Sequence, residues 1–162
     1  MNDTLRYIEA RLAYDCGSPT AEWEAVEEIF RQFPAERESV TRWLFEQHNG
    51  YIDTRTRSGL EFIERNPSEG WSILEQLVSS GDPDDRDTAL AVLETLGNDD
   101  AARLALPLLG DEWTYIKLEA ATFVCRFYLA EATKCLKDLL LNKSPSVREE
   151  ARKLLAEMEK DR

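Results

Sequence analysis

The stretch 82–97, DPDDRDTALAVLETLG, recurs twice at a fixed distance, and its recurrence decides the fold. Arg86 is followed 31 residues later by Lys117 and 31 later again by Arg148. Ala89, Ala120 and Ala151 keep the same spacing, as do Leu93, Val124 and Leu155, then Leu96, Phe127 and Met158. Upstream, Leu77 returns as Leu108 and Leu139, and Ile73 as Leu104 and Cys135. Pro83 returns as Pro145 and skips the middle copy. Self-similarity at one period marks an architecture of stacked supersecondary units, none of which can bury its apolar face alone.

Within the stretch, Ala89, Val92, Leu93 and Leu96 fall at i, i+3, i+4, i+7, the spacing of one helix face. Asp82 or Asp84 is placed to open that helix, Pro83 suits its first turn, and Gly97 stops it. Before it, Ser68 is expected to cap a helix carrying Trp71, Ile73, Leu74, Leu77 and Val78. After it, Asn98 or Asp99 opens a short helix with Leu104, Leu106, Leu108 and Leu109, in which Pro107 predicts a kink or a weak final turn. Helices are expected over about 114–129, 131–141 and 144–159. The N-terminal part predicts four more. The first covers 3–14, and the second starts near Thr20 with Trp23, Val26, Ile29 and Phe30. The third begins at Pro34, runs to about His48 and carries Val40, Trp43 and Leu44; the fourth starts at Asp53 or Thr54 and carries Leu60, Phe62 and Ile63. No segment alternates with period two, so the expected fold is all-α: a right-handed α-solenoid of about ten helices in stacked antiparallel pairs. The domain reading is a single unit over 1–162, with divergent helix pairs over 1–67 and three regular repeats over 68–162.

The segments SGDPDDRDTAL and NKSPSVREEARKLL carry a family resemblance. A turn rich in Asp and Pro, then an apolar residue with Arg, then a small Ala, resembles the HEAT-type repeat, above all its short bacterial subtype related to the phycobilisome-lyase repeats. Val147-Arg148 with Ala151 fits best, Ile116-Lys117 with Ala120 fits well, and Asp85-Arg86 with Ala89 lacks the apolar residue. The resemblance implies the solenoid and a mode of action as a binding scaffold, not an activity.

Charge narrows the partners. The net charge is −12 and it is uneven: residues 67–112 hold 2 Lys/Arg against 11 Asp/Glu, whereas 113–162 hold 10 against 8. Such an acidic belt repels phosphate backbones, which disfavours direct nucleic-acid binding, and it favours a basic protein partner. No apolar run is long enough to span a membrane, and the N-terminus has no apolar secretory core, so a cytoplasmic monomer with no membrane association is expected. Cys16, Cys125 and Cys135 are too few and too scattered for a disulfide framework, and Cys135 reads as a small core residue.

No catalytic residues are expected. His48 is the sole histidine, so Ser-His-Asp and Cys-His constellations would both depend on it, and no phosphate loop or zinc pattern occurs. No metal or cofactor is expected either. The run Asp82-Pro83-Asp84-Asp85-Arg86-Asp87 invites a calcium reading, but Arg86, Asp87 and Leu93 stand where a ligand, a glycine and a bidentate Glu are required. Acids at a helix start are what the macrodipole favours. Arg86, Lys117 and Arg148 read as a ladder that reaches acids in neighbouring turns.

The candidate partner-binding residues are those set apart from their repeat equivalents. Asp82, Asp84, Asp85 and Asp87 belong to the first regular copy, and Trp113 and Tyr115 replace small polar residues in the second. Asp87, Glu94 and Glu119 fall off the core stripe of the second helices, expected to line the concave side. Together they predict a non-enzymatic protein-binding module, in its sharpest form an immunity-type inhibitor that neutralises a basic toxin. A scaffold or assembly factor for a complex or for cofactor attachment is the alternative. A helical-repeat DNA repair enzyme is the third reading, against which the sign of the charge speaks.

Overall fold

A computed structural model of the chain describes residues 6, 19–46 and 54–160. The expectations for the helix over 3–14, for Cys16, and for His48 with its Asn49-Gly50 stop lie outside these residues, Arg6 alone being described, as helical. The side chains of Trp23 and Leu44 lie outside them too. The described residues form nine α-helices and two 3-10 turns with no strand, and the chain divides into two compact units, 1–76 and 77–162.

In the first unit, α1 (Pro19–Gln32) leads through a 3-10 turn (Pro34–Glu36) into α2 (Arg37–Glu46), and both helices pack on α3 (Thr54–Arg65). Val26, Ile29 and Phe30 of α1, Val40, Trp43 and Phe45 of α2, and Phe62 and Ile63 of α3 are all buried, and the Phe30 and Phe62 rings meet edge-to-face with centroids 5.6 Å apart. The next helix, α4 (Pro67–Val78), starts one residue before the expected Ser68 cap. Pro67 takes the first helical position, where its missing N–H is no loss, and the Asn66 carbonyl accepts from the Glu69 and Gly70 amides at 3.1 and 2.9 Å. Gly70 lets α4 approach α3 closely: a Cβ there would stand 2.8 Å from Ile63 Cγ1 and 3.0 Å from its Cα.

The second unit repeats one plan. Its second-position helices are α5 (Pro83–Leu96), α7 (Thr114–Val124) and α9 (Pro145–Lys160). They pack against one another in order, α5 on α7 and α7 on α9. Between them lie α6 (Asp99–Ala105), which runs into a 3-10 turn (Leu106–Gly110), and α8 (Leu129–Leu139). The 31-residue register is the register of burial: Ala89, Ala120 and Ala151 are fully buried, and Leu77, Leu108 and Leu139 are buried with them. Cys135 is buried in the core with Ala121, Leu136 and Ala151, as the repeat alignment predicts.

Two expectations need correction, and one between them holds. In α6 the deepest residues are Ala101, Ala102 and Ala105, whereas Leu104, Leu106 and Leu109 are only half-buried. Pro107 does produce the weak final turn, as a 3-10 segment that carries the buried Leu108. The helix expected over 114–129 ends at Val124. Its chain then tightens, with the Phe127 and Tyr128 amides both donating to the Val124 carbonyl at 3.0 and 2.8 Å. Phe127 is therefore exposed, although its repeat equivalents Leu96 and Met158 are half-buried.

Candidate functional site

The turns that open α5, α7 and α9 share a device that the 31-residue period does not announce. Residues 80, 111 and 142 are Ser, Asp and Asn, and each accepts, through its side-chain oxygen, the backbone N–H two residues on. The distances are 3.1 Å for Asp82 to Ser80, 2.8 Å for Trp113 to Asp111 and 2.9 Å for Ser144 to Asn142. In the first and third copies the arginine six positions later closes the same turn: Arg86 Nη1 donates to the Ser80 carbonyl at 2.8 Å, and Arg148 Nη1 to that of Asn142 at 2.7 Å.

Arg86 does one thing more. Its Nε and Nη2 donate to the two carboxylate oxygens of Asp111 in the next turn, at 2.6 and 3.1 Å, with both side chains buried. This bidentate pair is a rung between successive repeats. Burial alone would push the Asp111 carboxyl up, but the Arg86 hydrogen bonds, the Trp113 N–H and the charges of Arg86 and Lys117 hold it below the usual carboxylate range. The rung is not repeated at Lys117, because the residue in Asp111's place one copy on is Asn142.

The four aspartates of the first regular copy separate into two groups. Asp82 is the N-cap of α5, its Oδ1 accepting from the Asp84 amide at 3.0 Å. Asp85 accepts from the Ser80 hydroxyl at 2.6 Å. Both are engaged by the turn. Asp84 and Asp87, three residues apart on α5, and Glu94, seven further on, follow one side of the helix. Glu119 of α7 joins them, its carboxyl near enough to that of Asp87 for each to shift the ionisation of the other.

This second group is crowded. Desolvation raises Asp87, against the opposing effect of the Glu119 carboxyl and with repulsion from Asp84. Desolvation and the charge of Asp87 raise Glu119. Glu94 is pushed up to about 7 by desolvation first, then by the charges of Glu119 and Asp87, against the pull of Arg126. Its residue still reaches solvent, so the energetic counterpart of that shift is screened.

Trp113 and Tyr115 stand at the start of α7, 48% and 41% exposed, with ring centroids 6.2 Å apart in an edge-to-face pair. The Tyr115 hydroxyl is raised by burial and by the charges of Asp87, Asp84, Asp111 and Glu119, which places that ring beside the acids. Trp113 occupies the N-cap position and makes no side-chain cap. Thus Asp84, Asp87, Glu94, Tyr115 and Glu119 come together, with Trp113 at their edge, while Asp82 and Asp85 are drawn into the turn.

Among the described residues no group of three or more His, Cys, Asp or Glu is arranged to hold a metal ion, and no helix is long and apolar enough to cross a membrane. Desolvated acids beside exposed aromatic rings offer electrostatic and stacking contacts to a cationic group. A family model for HEAT repeats matches residues 72–156, from α4 to α9. No curated protein and no solved structure matches the chain.

Proposed function

The chain belongs to the HEAT-repeat family, whose members are commonly protein–protein interaction modules, and on that premise we propose that it is a non-enzymatic binding module for a basic protein. The observation that carries this reading is the acid face of α5 and α7 with Trp113 and Tyr115 at its rim. Cationic side chains of a partner would relieve the repulsion among Asp87, Glu94 and Glu119, and an aromatic rim gives such an interface anchors. A net charge of −12 steers a basic partner onto the surface. In its finer form the module is a cytoplasmic, immunity-type inhibitor that covers the working surface of a basic toxin.

The test is quantitative. The partner recovered from the source cell is purified, and its affinity is measured by calorimetry at low and high salt. The expected partner is cationic, binds more weakly as salt rises, and is weakened by Asp84→Lys and by Glu119→Lys. An affinity that neither substitution changes would remove this face from the interface. A partner that remains bound as a permanent complex, indifferent to salt, would select a scaffold over an inhibitor.

A further inference from the structure

We propose that the first unit holds a pocket for a small oxyanion, a carboxylate or phosphate group, where the end of α1, the start of α2 and the end of α3 meet. A cavity of about 530 Å³ lies there, walled by Glu27, Phe30, Arg31, Arg37, Arg65 and Asn66. That volume is within the range of sites for small molecules. Three guanidinium groups gather there, two of them paired with carboxylates, Arg37 with Glu69 and Arg65 with Glu61, while Arg31 brings its charge unpaired among the described residues. Residues 1–76 contain arginine and no lysine, and arginine is the side chain whose planar fork matches carboxylate and phosphate oxygens.

The three arginines are held differently. Arg37 is fixed in place. Its Nε donates to both oxygens of Glu69 at 2.9 and 3.0 Å, and its Nη2 to Asn66 Oδ1 at 3.1 Å. Its guanidinium carbon lies 4.6 Å from the Phe30 ring and 5.3 Å from the Phe62 ring. Arg65 is anchored to Glu61 at 2.7 Å and reaches Glu27 only at 3.6 Å. Arg31 is exposed on the wall, and among the described residues it makes no hydrogen bond or ion pair. A fixed cation, an anchored cation and one with its donors uncommitted form a receptor whose ordering cost is largely met before an anion arrives. Among the described wall residues, Glu27 is the one that opposes binding.

The test is a titration of the full chain with sodium phosphate and, separately, sodium succinate, at ionic strength held constant with sodium chloride. It is followed by the NMR signals of the arginine Nε–H groups and the Phe30 and Asn66 amides. Saturable shifts at these groups with either anion are expected, and the stronger of the two identifies phosphate or carboxylate as the natural group. Arg31→Gln should weaken binding about tenfold, the worth of one charge-assisted hydrogen bond. Glu27→Gln should strengthen it, a response that loss of structure would not produce. Shifts that fail to saturate with both anions, that chloride reproduces, or that persist unchanged in Arg31→Gln would overturn the proposal.

Discussion

Two places in the second unit are rich in acids, and they use them in opposite ways. Where α5 and α7 begin, Asp82, Asp85 and Asp111 each receive donors: a backbone amide, a hydroxyl and a guanidinium. On the face shared by α5 and α7, Asp87, Glu94 and Glu119 have chiefly one another, with Arg126 as the cation acting on Glu94. The same side-chain chemistry is held below its ordinary ionisation range at Asp111 and lifted above it at the face. Net charge alone therefore says little about function. Acids with donors maintain the repeat, whereas acids crowded together and partly desolvated mark the surface where a cation would be stabilising.

The largest expected effect falls on the partnered side. Asp111→Ala strips a buried arginine of its counter-charge and the Trp113 amide of its acceptor, so it should lower unfolding free energy by about 3 kcal/mol or more, measured by urea denaturation. A loss comparable to that of a surface substitution would mean that the rung does not hold the repeats. Asp82→Ala removes the α5 cap alone and should cost about 1 kcal/mol in the same assay.

Trp113→Ser puts into the middle copy the residue that the third copy has at this position, Ser144. It should stabilise the chain, by up to about 1 kcal/mol through the N-cap it supplies, and weaken partner binding. Equal affinity with the partner would place recognition elsewhere.

The smallest effect, and the most direct test of the contrast, is the pH dependence. Asp111 ionises in the folded state below its unfolded value, so its contribution is complete above the ordinary aspartate range and is lost as pH falls through the folded value. Asp87, Glu94 and Glu119 are shifted the other way. Their contribution is complete below the ordinary carboxylate range and is lost as pH rises, towards about 7 for Glu94. Glu119→Gln should therefore reduce the fall in stability between about pH 5 and pH 8, read from denaturation midpoints. An unchanged slope would show that the face is not strained by its own charge.

The fold was largely legible because its determinants repeat as letters or as size classes: alanine at 89, 120 and 151, and leucine at 77, 108 and 139. The turn device was not, because Ser80, Asp111 and Asn142 share an acceptor oxygen and no letter. A comparison by hydrogen-bonding class would have found it. Asp111 as the counter-charge of Arg86 was hidden for a related reason, since the partners lie 25 residues apart and in different copies. The small buried positions Gly70, Ala101 and Ala132 form another 31-residue column, whose information is small volume and which hydrophobic periodicity passes over. The early end of α7 has no glycine or proline to announce it. As for the candidate face, Asp82 was legible as a helix opener and as a candidate for the face at once, and the hydrogen bonds of the turn add that Asp85 is held by Ser80, whereas Asp87 and Glu119 were legible as neighbours because they are separated by one repeat and one residue.

One consequence concerns how such a surface changes over generations. In each copy the turn is gripped from two positions upstream, by residues 80, 111 and 142, so the N-cap position need not carry the grip. Trp113 occupies it without a cap bond and the helix still forms. Residues 113 and 115 are thereby released from the code that specifies the repeat, and substitutions there can alter what the molecule recognises while heritable variation in the scaffold stays small. Diversifying those two positions, with Asp111 left in place, would make a library of surfaces on an unaltered frame.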